Sequence, residues 1–133
     1  MNKKIIIKSP IYIYITRKTK PPKKYSLNLN AYRNWQFVVN NIIKKQYCDE
    51  MIEQLYKLKL KFPIELKFTL YKATKRVSDR SNVLSIVEKF FCDALVYYGC
   101  IQDDNDNYIV SSHYCSGEVD KLNPRVEIEI VEN

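Results

Sequence analysis

The segment SNVLSIVEKFFCDALVYYG, residues 81–99, constrains this chain more than any other stretch. It reads as a helix, with Ser81 as cap, Gly99 as stop and apolar residues along its whole length. Such a helix has to be covered, and the segments around it are of the kind that cover it. Ile5 to Ile15 is rich in Ile and Tyr and reads as an opening strand. Residues 27–59 turn helical, with Tyr32, Trp35, Val38 or Val39, Ile42 and Ile43 on one face and Asn28 or Asn30 as cap. Pro63 ends that helix. IELKFTLYK alternates as a half-buried strand, NYIVSSHYC is a further strand, and RVEIEIV is the last. The expected order is β-α-β-α-β-β: an α+β fold, with a mostly antiparallel or mixed sheet and two helices packed on it. At 133 residues, with no repeat or boundary, it is expected to be a single domain over residues 1–133.

Charge divides the chain. Residues 1–76 hold 18 Lys/Arg against 4 Asp/Glu, residues 77–133 hold 4 against 11, and the net is +7. A basic region for a polyanion beside a concentrated acidic site accounts for this division, and so does a merely solvated surface. The densest basic stretch, TRKTKPPKKYS, places Arg17, Lys18, Lys20, Lys23 and Lys24 around two prolines and is expected to be a mobile loop.

Several function classes drop out. Two glycines leave no phosphate-cradling loop and no dinucleotide fingerprint, so no nucleotide cofactor is expected. Cys48, Cys92, Cys100 and Cys115 form no C-x-x-C pair and only His113 accompanies them, which argues against zinc and for reduced cysteines of a cytoplasmic protein. No run approaches the roughly 18 apolar residues of a membrane span, and Lys8, Ser9 and Pro10 interrupt the only signal-like start. The turn DDNDN imitates a calcium loop, but Tyr108 stands where glycine is needed and Tyr114 where the bidentate glutamate belongs.

What remains is acidic. Asp79 precedes the apolar helix, Asp93 lies within it, and Asp103 and Asp104 follow it. At about 100° per residue, Asn82, Ile86, Lys89 and Asp93 share one helix face. A lysine and an aspartate on so apolar a helix are costly to bury unpaired, although as i, i+4 neighbours they also suit an ordinary surface pair. Carboxylates and water are the ligands Mg²⁺ prefers, and a held Mg²⁺ is what phosphodiester hydrolysis at neutral pH requires.

Residues 78–109, SDRSNVLSIVEKFFCDALVYYGCIQDDNDNYI, resemble the core of the RusA-type Holliday-junction resolvases: D-x-D-N, then K-x-x-x-D-A-L, a Gly, and an Asp-Asp pair. The resemblance extends to Asn28–Arg33 and to the terminal PRVEIEI strand. Asp79 matches the first motif aspartate, Asn82 the asparagine, Lys89 the lysine, Asp93 the D-A-L aspartate, and Asp103–Asp104 the pair. Ser81 stands where the second D-x-D-N carboxylate is usual, and the Asn82–Lys89 interval is about one helical turn longer than the common pattern.

The resemblance implies a homodimeric, Mg²⁺-dependent endonuclease (with Mn²⁺ as substitute) that cuts four-way or other branched double-stranded DNA. Asp79, Asp103 and Asp104 are then the expected metal ligands, and Asp93 and Lys89 join them as catalytic residues. Arg33, Arg76, Arg80 and Asn82 join the basic loop as expected DNA contacts. Ser81 leaves a second reading open, a RusA-like protein of weak or absent activity that binds branched DNA.

Overall fold

The computed structural model describes residues 3–132; Met1, Asn2 and Asn133, the ends of the expected domain, lie outside the described residues. The elements run β1 (Lys4–Ser9), β2 (Tyr12–Ile15), β3 (Lys23–Ser26), α1 (Leu29–Tyr32), α2 (Phe37–Glu50), α3 (Ile52–Leu55), β4 (Ile64–Tyr71), α4 (Arg80–Tyr97), β5 (Ile109–Ser116) and β6 (Arg125–Glu132). Four strands form a mixed sheet in the order β1-β6-β4-β5, and β2 and β3 form a separate ribbon. The α+β class and the mixed sheet are as expected from the sequence.

The sheet has one apolar and one charged face. β6 alternates strictly, with Val126, Ile128 and Ile130 buried and Glu127 and Glu129 turned the other way. Register carries the alternation across neighbours: Phe68 and Ile7 both pair with Ile128, whereas Lys67 and Ile6 pair with Glu129. The outer face is thereby left to Lys4, Lys67, Glu127 and Glu129, with Lys4 3.7 Å from Glu129. Antiparallel pairing tolerates such a one-sided arrangement.

α4 covers the apolar face. Phe91, fully buried, meets Phe68 of β4 edge-on at 6.2 Å. On its other side, Phe90 joins Tyr32, Trp35 and Tyr47 of the α1–α2 region, with ring centroids 5.7–6.4 Å apart. α4 links β4 to β5, which lie parallel, so the three form a β-α-β unit. Its C-terminus closes as a Schellman turn: Cys100 N–H donates to Leu95 O, Gly99 N–H donates to Val96 O, and Gly99 takes φ +72°.

Four local expectations are corrected. The opening strand breaks at Pro10, which has no N–H for a ladder, so β1 enters the sheet and β2 the ribbon. The basic stretch is not a loop throughout, since Lys23–Ser26 pairs with Tyr12–Ile15. A ribbon needs only one covered face, and Ile13 and Leu27 supply it while the lysines stay in water. The helix read over residues 27–59 is three helices. Asn28 does cap the first, accepting from Ala31 N–H. The inward side of α2 is Ile43 and Tyr47, with Val39 half-buried, while Val38 and Ile42 are exposed. Finally, Asp79 rather than Ser81 caps α4.

Phe91→Ala should cost about 3–5 kcal/mol, because it removes the ring that joins helix to sheet and leaves a void. Denaturant unfolding checks this, and a loss below about 1 kcal/mol would mean that α4 is not held through that contact.

Candidate functional site

The β-α-β connection dictates where the acidic residues go. α4 has 18 residues and is therefore about 27 Å long. Asp79 lies at its start, and Asp103 and Asp104 lie in the turn beyond its end. Asp79 lines a hollow with Arg33, Asn82, Ser81 and Ser85. Asp104 lines another with Glu88, Lys89, Asp106 and Ser85. Ser85 is the one residue the two hollows share, and its Oγ is buried with no hydrogen-bond partner among the described residues. The expected grouping of Asp79 with Asp103 and Asp104 is not formed. Among the described residues, no three His, Cys, Asp or Glu side chains stand close enough to share a metal ion.

Asp79 is occupied as a cap. Its Oδ1 accepts from Ser81 N–H at 3.0 Å and from Ser81 Oγ–H at 2.7 Å. These two bonds lower its pKa below the ordinary carboxylate value. The Ser81 hydroxyl is thus spent on Asp79.

The other acidic residues divide by their partners. Asp93 faces α2, where Lys44 Nζ reaches its Oδ2 at 2.9 Å. Asp103 shapes its own turn, accepting from Asp104 N–H at 2.8 Å and from Asn105 Nδ2 at 3.2 Å. Asp104 and Asp106 have no hydrogen-bond or ion-pair partner for their carboxylates among the described residues, and neither does the Lys89 ammonium. The predicted stripe of Asn82, Ile86, Lys89 and Asp93 therefore splits. Asn82 stands with Arg33, Ile86 is in the core, Lys89 lines the hollow of Asp104 and Glu88, and Asp93, paired with Lys44, lines a neighbouring hollow together with Asp103 and Asp104.

Sequence reasoning missed Glu88 and Lys44. Glu88 lies with Ser85, Lys89 and Cys92 at i, i+3, i+4 and i+7, the face that borders the hollow. Tyr114 of β5 donates its hydroxyl to Glu88 Oε1. Burial first, and then this bond, push the Tyr114 phenol well above its ordinary value, so it stays a donor at neutral pH. Cys92, beneath the hollow, is pushed up to about 12 by burial and then by the charges of Glu88, Asp104 and Asp93. It is an inert thiol. The spacing pattern that marks this face was readable in the sequence; the Tyr114 contact was not.

The expected DNA contacts fall in two places. Arg17, Lys18, Lys20, Lys23 and Lys24 ring the β2–β3 ribbon, all exposed, with Arg17 Nε bonded to Pro21 O and Lys24 lying 3.9 Å over the Tyr12 ring. Arg33, Arg76 and Arg80 are exposed around the start of α4. Tyr25 of β3 meets Trp35 at 6.0 Å, and Trp35 meets Phe90, so an aromatic chain fastens the ribbon to α4.

A family model described as "Endodeoxyribonuclease RusA" matches residues 12–131. The chain belongs to the RusA endodeoxyribonuclease family. The match spans the ribbon, α4, both hollows and the last strand, so the RusA resemblance of residues 78–109 extends to nearly the whole chain. A comparison with curated proteins finds no match. No helix among the described residues is long and apolar enough to cross a membrane.

Asp79 has a depressed pKa when folded, so its stabilising effect is fully present above about pH 4 and is lost as pH falls through its lower folded value. Asp79→Ala should lower stability near neutral pH and flatten the acid limb of a stability–pH curve. Asp79→Asn, which keeps a capping oxygen, should lie between the two. An acid limb unchanged by Asp79→Ala would show that this cap contributes nothing.

Proposed function

We propose that this RusA-family chain hydrolyses phosphodiesters of branched DNA, including four-way junctions, using Mg²⁺ or Mn²⁺ held at the Asp104 hollow. The observation that carries the reading is that Asp104 and Lys89, whose charged groups have no partner among the described residues, share one hollow with Glu88 and Asp106. The donor set fits the ion. Mg²⁺ binds hard oxygens, keeps most of its waters and needs only one or two carboxylates, so a three-carboxylate cage is not required. The orphaned Ser85 Oγ marks a polar spot, bordering both this hollow and that of Asp79, that no group among the described residues satisfies.

Asp104 and Glu88 are the holding pair, with Asp106 at the rim. The Tyr114 hydroxyl fixes Glu88 in one orientation, as an outer partner of a ligand does. Mg²⁺, when bound, supplies positive charge to the phosphate and an ionised water at neutral pH. Lys89 Nζ neutralises charge on the scissile phosphate and donates a hydrogen bond to it. The Lys44 pair keeps Asp93 out of the ligand set and ties α2 to α4 beside the hollow. Arg33, Asn82, Arg76 and Arg80 at the start of α4, and the ribbon cations, take DNA phosphates and set the strand's path. A two-fold homodimer presents two such hollows to a near-symmetric junction, which allows paired cuts.

One observation favours the second reading, a branched-DNA binder of weak activity. Ser81 replaces a carboxylate of the family pattern and its hydroxyl is committed to Asp79. The two readings part on Asp104. Under the nuclease reading, Asp104→Asn and Glu88→Gln reduce Mg²⁺-dependent cutting of a four-way junction to background while leaving binding intact. Tyr114→Phe weakens metal affinity by about 10–100-fold. Wild-type protein that binds the junction but never cuts it establishes the second reading instead.

Replacing Lys18, Lys20, Lys23 and Lys24 together with alanine should weaken binding to every DNA shape. It should also reduce the slope of log affinity against log salt by about 0.9 for each phosphate that is no longer neutralised. An unchanged slope would place the ribbon away from DNA.

A further inference from the structure

Beside the ribbon lies a hollow of about 460 Å³ that the cutting reaction does not use, lined by Tyr12, Tyr14, Lys8 and Asn123 among others. Its volume falls within the roughly 300–1,000 Å³ that small-ligand sites occupy. Resting on the reading that this chain grips branched DNA, we propose that the hollow receives one unpaired nucleotide at the branch point, with its base stacked on Tyr14.

The ring of Tyr14 is the reason. β2 alternates, burying Ile13 completely and turning Tyr12 and Tyr14 to the opposite face. Tyr12 is covered by Lys24 at 3.9 Å, and Tyr25 is covered by Lys23 at 5.1 Å and by Trp35. Tyr14 is 52% exposed and has no aromatic or cationic partner among the described residues. It is an uncovered aromatic face on the wall of a concave site, the arrangement on which single-stranded bases stack.

The groups around it complete a nucleotide site. Lys24 pairs with Tyr14 in the ribbon register and sets its ammonium over the neighbouring Tyr12 ring, where it is exposed to a phosphate. The Lys8 ammonium, on β1, is exposed and has no ion-pair partner among the described residues. The Asn123 side-chain amide is likewise unbonded among them and offers a donor and an acceptor to a base edge. Arg125, on the same wall, is committed to Asp120 and Glu127 at 2.7–2.9 Å and serves to hold that wall rather than a ligand. The ribbon itself carries no Asp or Glu, and the carboxylate that lines the hollow, Glu50, accepts a hydrogen bond from Gln46 Nε2 at 3.1 Å. A base in a continuous duplex stays stacked, and taking it out costs several kcal/mol, whereas at a branch point the stack is already interrupted. The hollow therefore favours branched over continuous DNA, a preference that phosphate contacts alone do not supply.

The test compares a four-way junction with a duplex of equal length, without divalent metal, using 2-aminopurine at the branch point. Wild-type protein should prefer the junction and change the 2-aminopurine emission. Tyr14→Ala should weaken junction binding by about 5- to 150-fold, leave duplex binding and its salt slope unchanged, and abolish the emission change. Tyr14→Trp should restore all three. Thermal melting checks that each variant is folded, which an exposed position permits. If Tyr14→Ala prefers the junction and alters the emission as wild type does, the inference is wrong while the DNA-binding reading stands. If wild type binds no DNA of any shape, both fall together.

Discussion

The structure depends on the burial of α4 from two sides. Phe91 goes to the sheet through Phe68, Phe90 goes to the aromatic group of α1 and α2, and Leu84, Val87, Ala94 and Leu95 fill the space between. A helix so enclosed leaves only a narrow stripe for polar groups, and Ser85, Glu88 and Lys89 lie on it. Any side chain on that stripe is held in place by the packing behind it, which is the condition a reactive site needs. The same enclosure joins the fold's two halves, because Phe90 is also where the aromatic chain from the basic ribbon ends.

From this follows the division of labour among the acidic residues. Asp79 starts α4, while the turn after α4 puts Asp104 beside Ser85, Glu88 and Lys89, so the carboxylates that flank the helix line different hollows. Asp79 becomes a helix cap, Asp93 a tie to α2, and Asp103 a turn former, each engaged by hydrogen bonds or an ion pair. Asp104 has no such partner among the described residues. Three of the carboxylates in the family's pattern are thus engaged in holding local structure, and metal binding is proposed at the one that is not.

The sequence carried the large features well. Alternation in RVEIEIV and IELKFTLYK fixes which face of each strand is apolar, and the density of apolar residues in 81–99 identifies the enclosed helix. The finer features escaped for physical reasons. Val38 and Ile42 fit a helical face as well as Val39 and Ile43 do, and only the way α2 packs on the core decides between them. The basic stretch looked like loop because charge forbids burial, yet a ribbon buries one side only. The carboxylates that flank the helix share one motif, and only the path of the chain after α4 decides which hollow each of them borders. Glu88 carried no motif mark, and its role rests on Tyr114, which the chain reaches only after crossing to β5.

Divalent metal is proposed to bind at the Asp104 hollow rather than at the start of α4. Titrating the protein with Mn²⁺ while observing assigned backbone amide resonances tests this directly, since the ion broadens signals from nearby nuclei whether or not the protein cuts DNA. Glu88, Lys89, Asp104 and Asp106 are expected to broaden at the lowest Mn²⁺ and most strongly, with Asp79, Ser81 and Asn82 broadening later and less. Broadening centred on Asp79 and Ser81, with Asp104 unaffected, would contradict the proposed site.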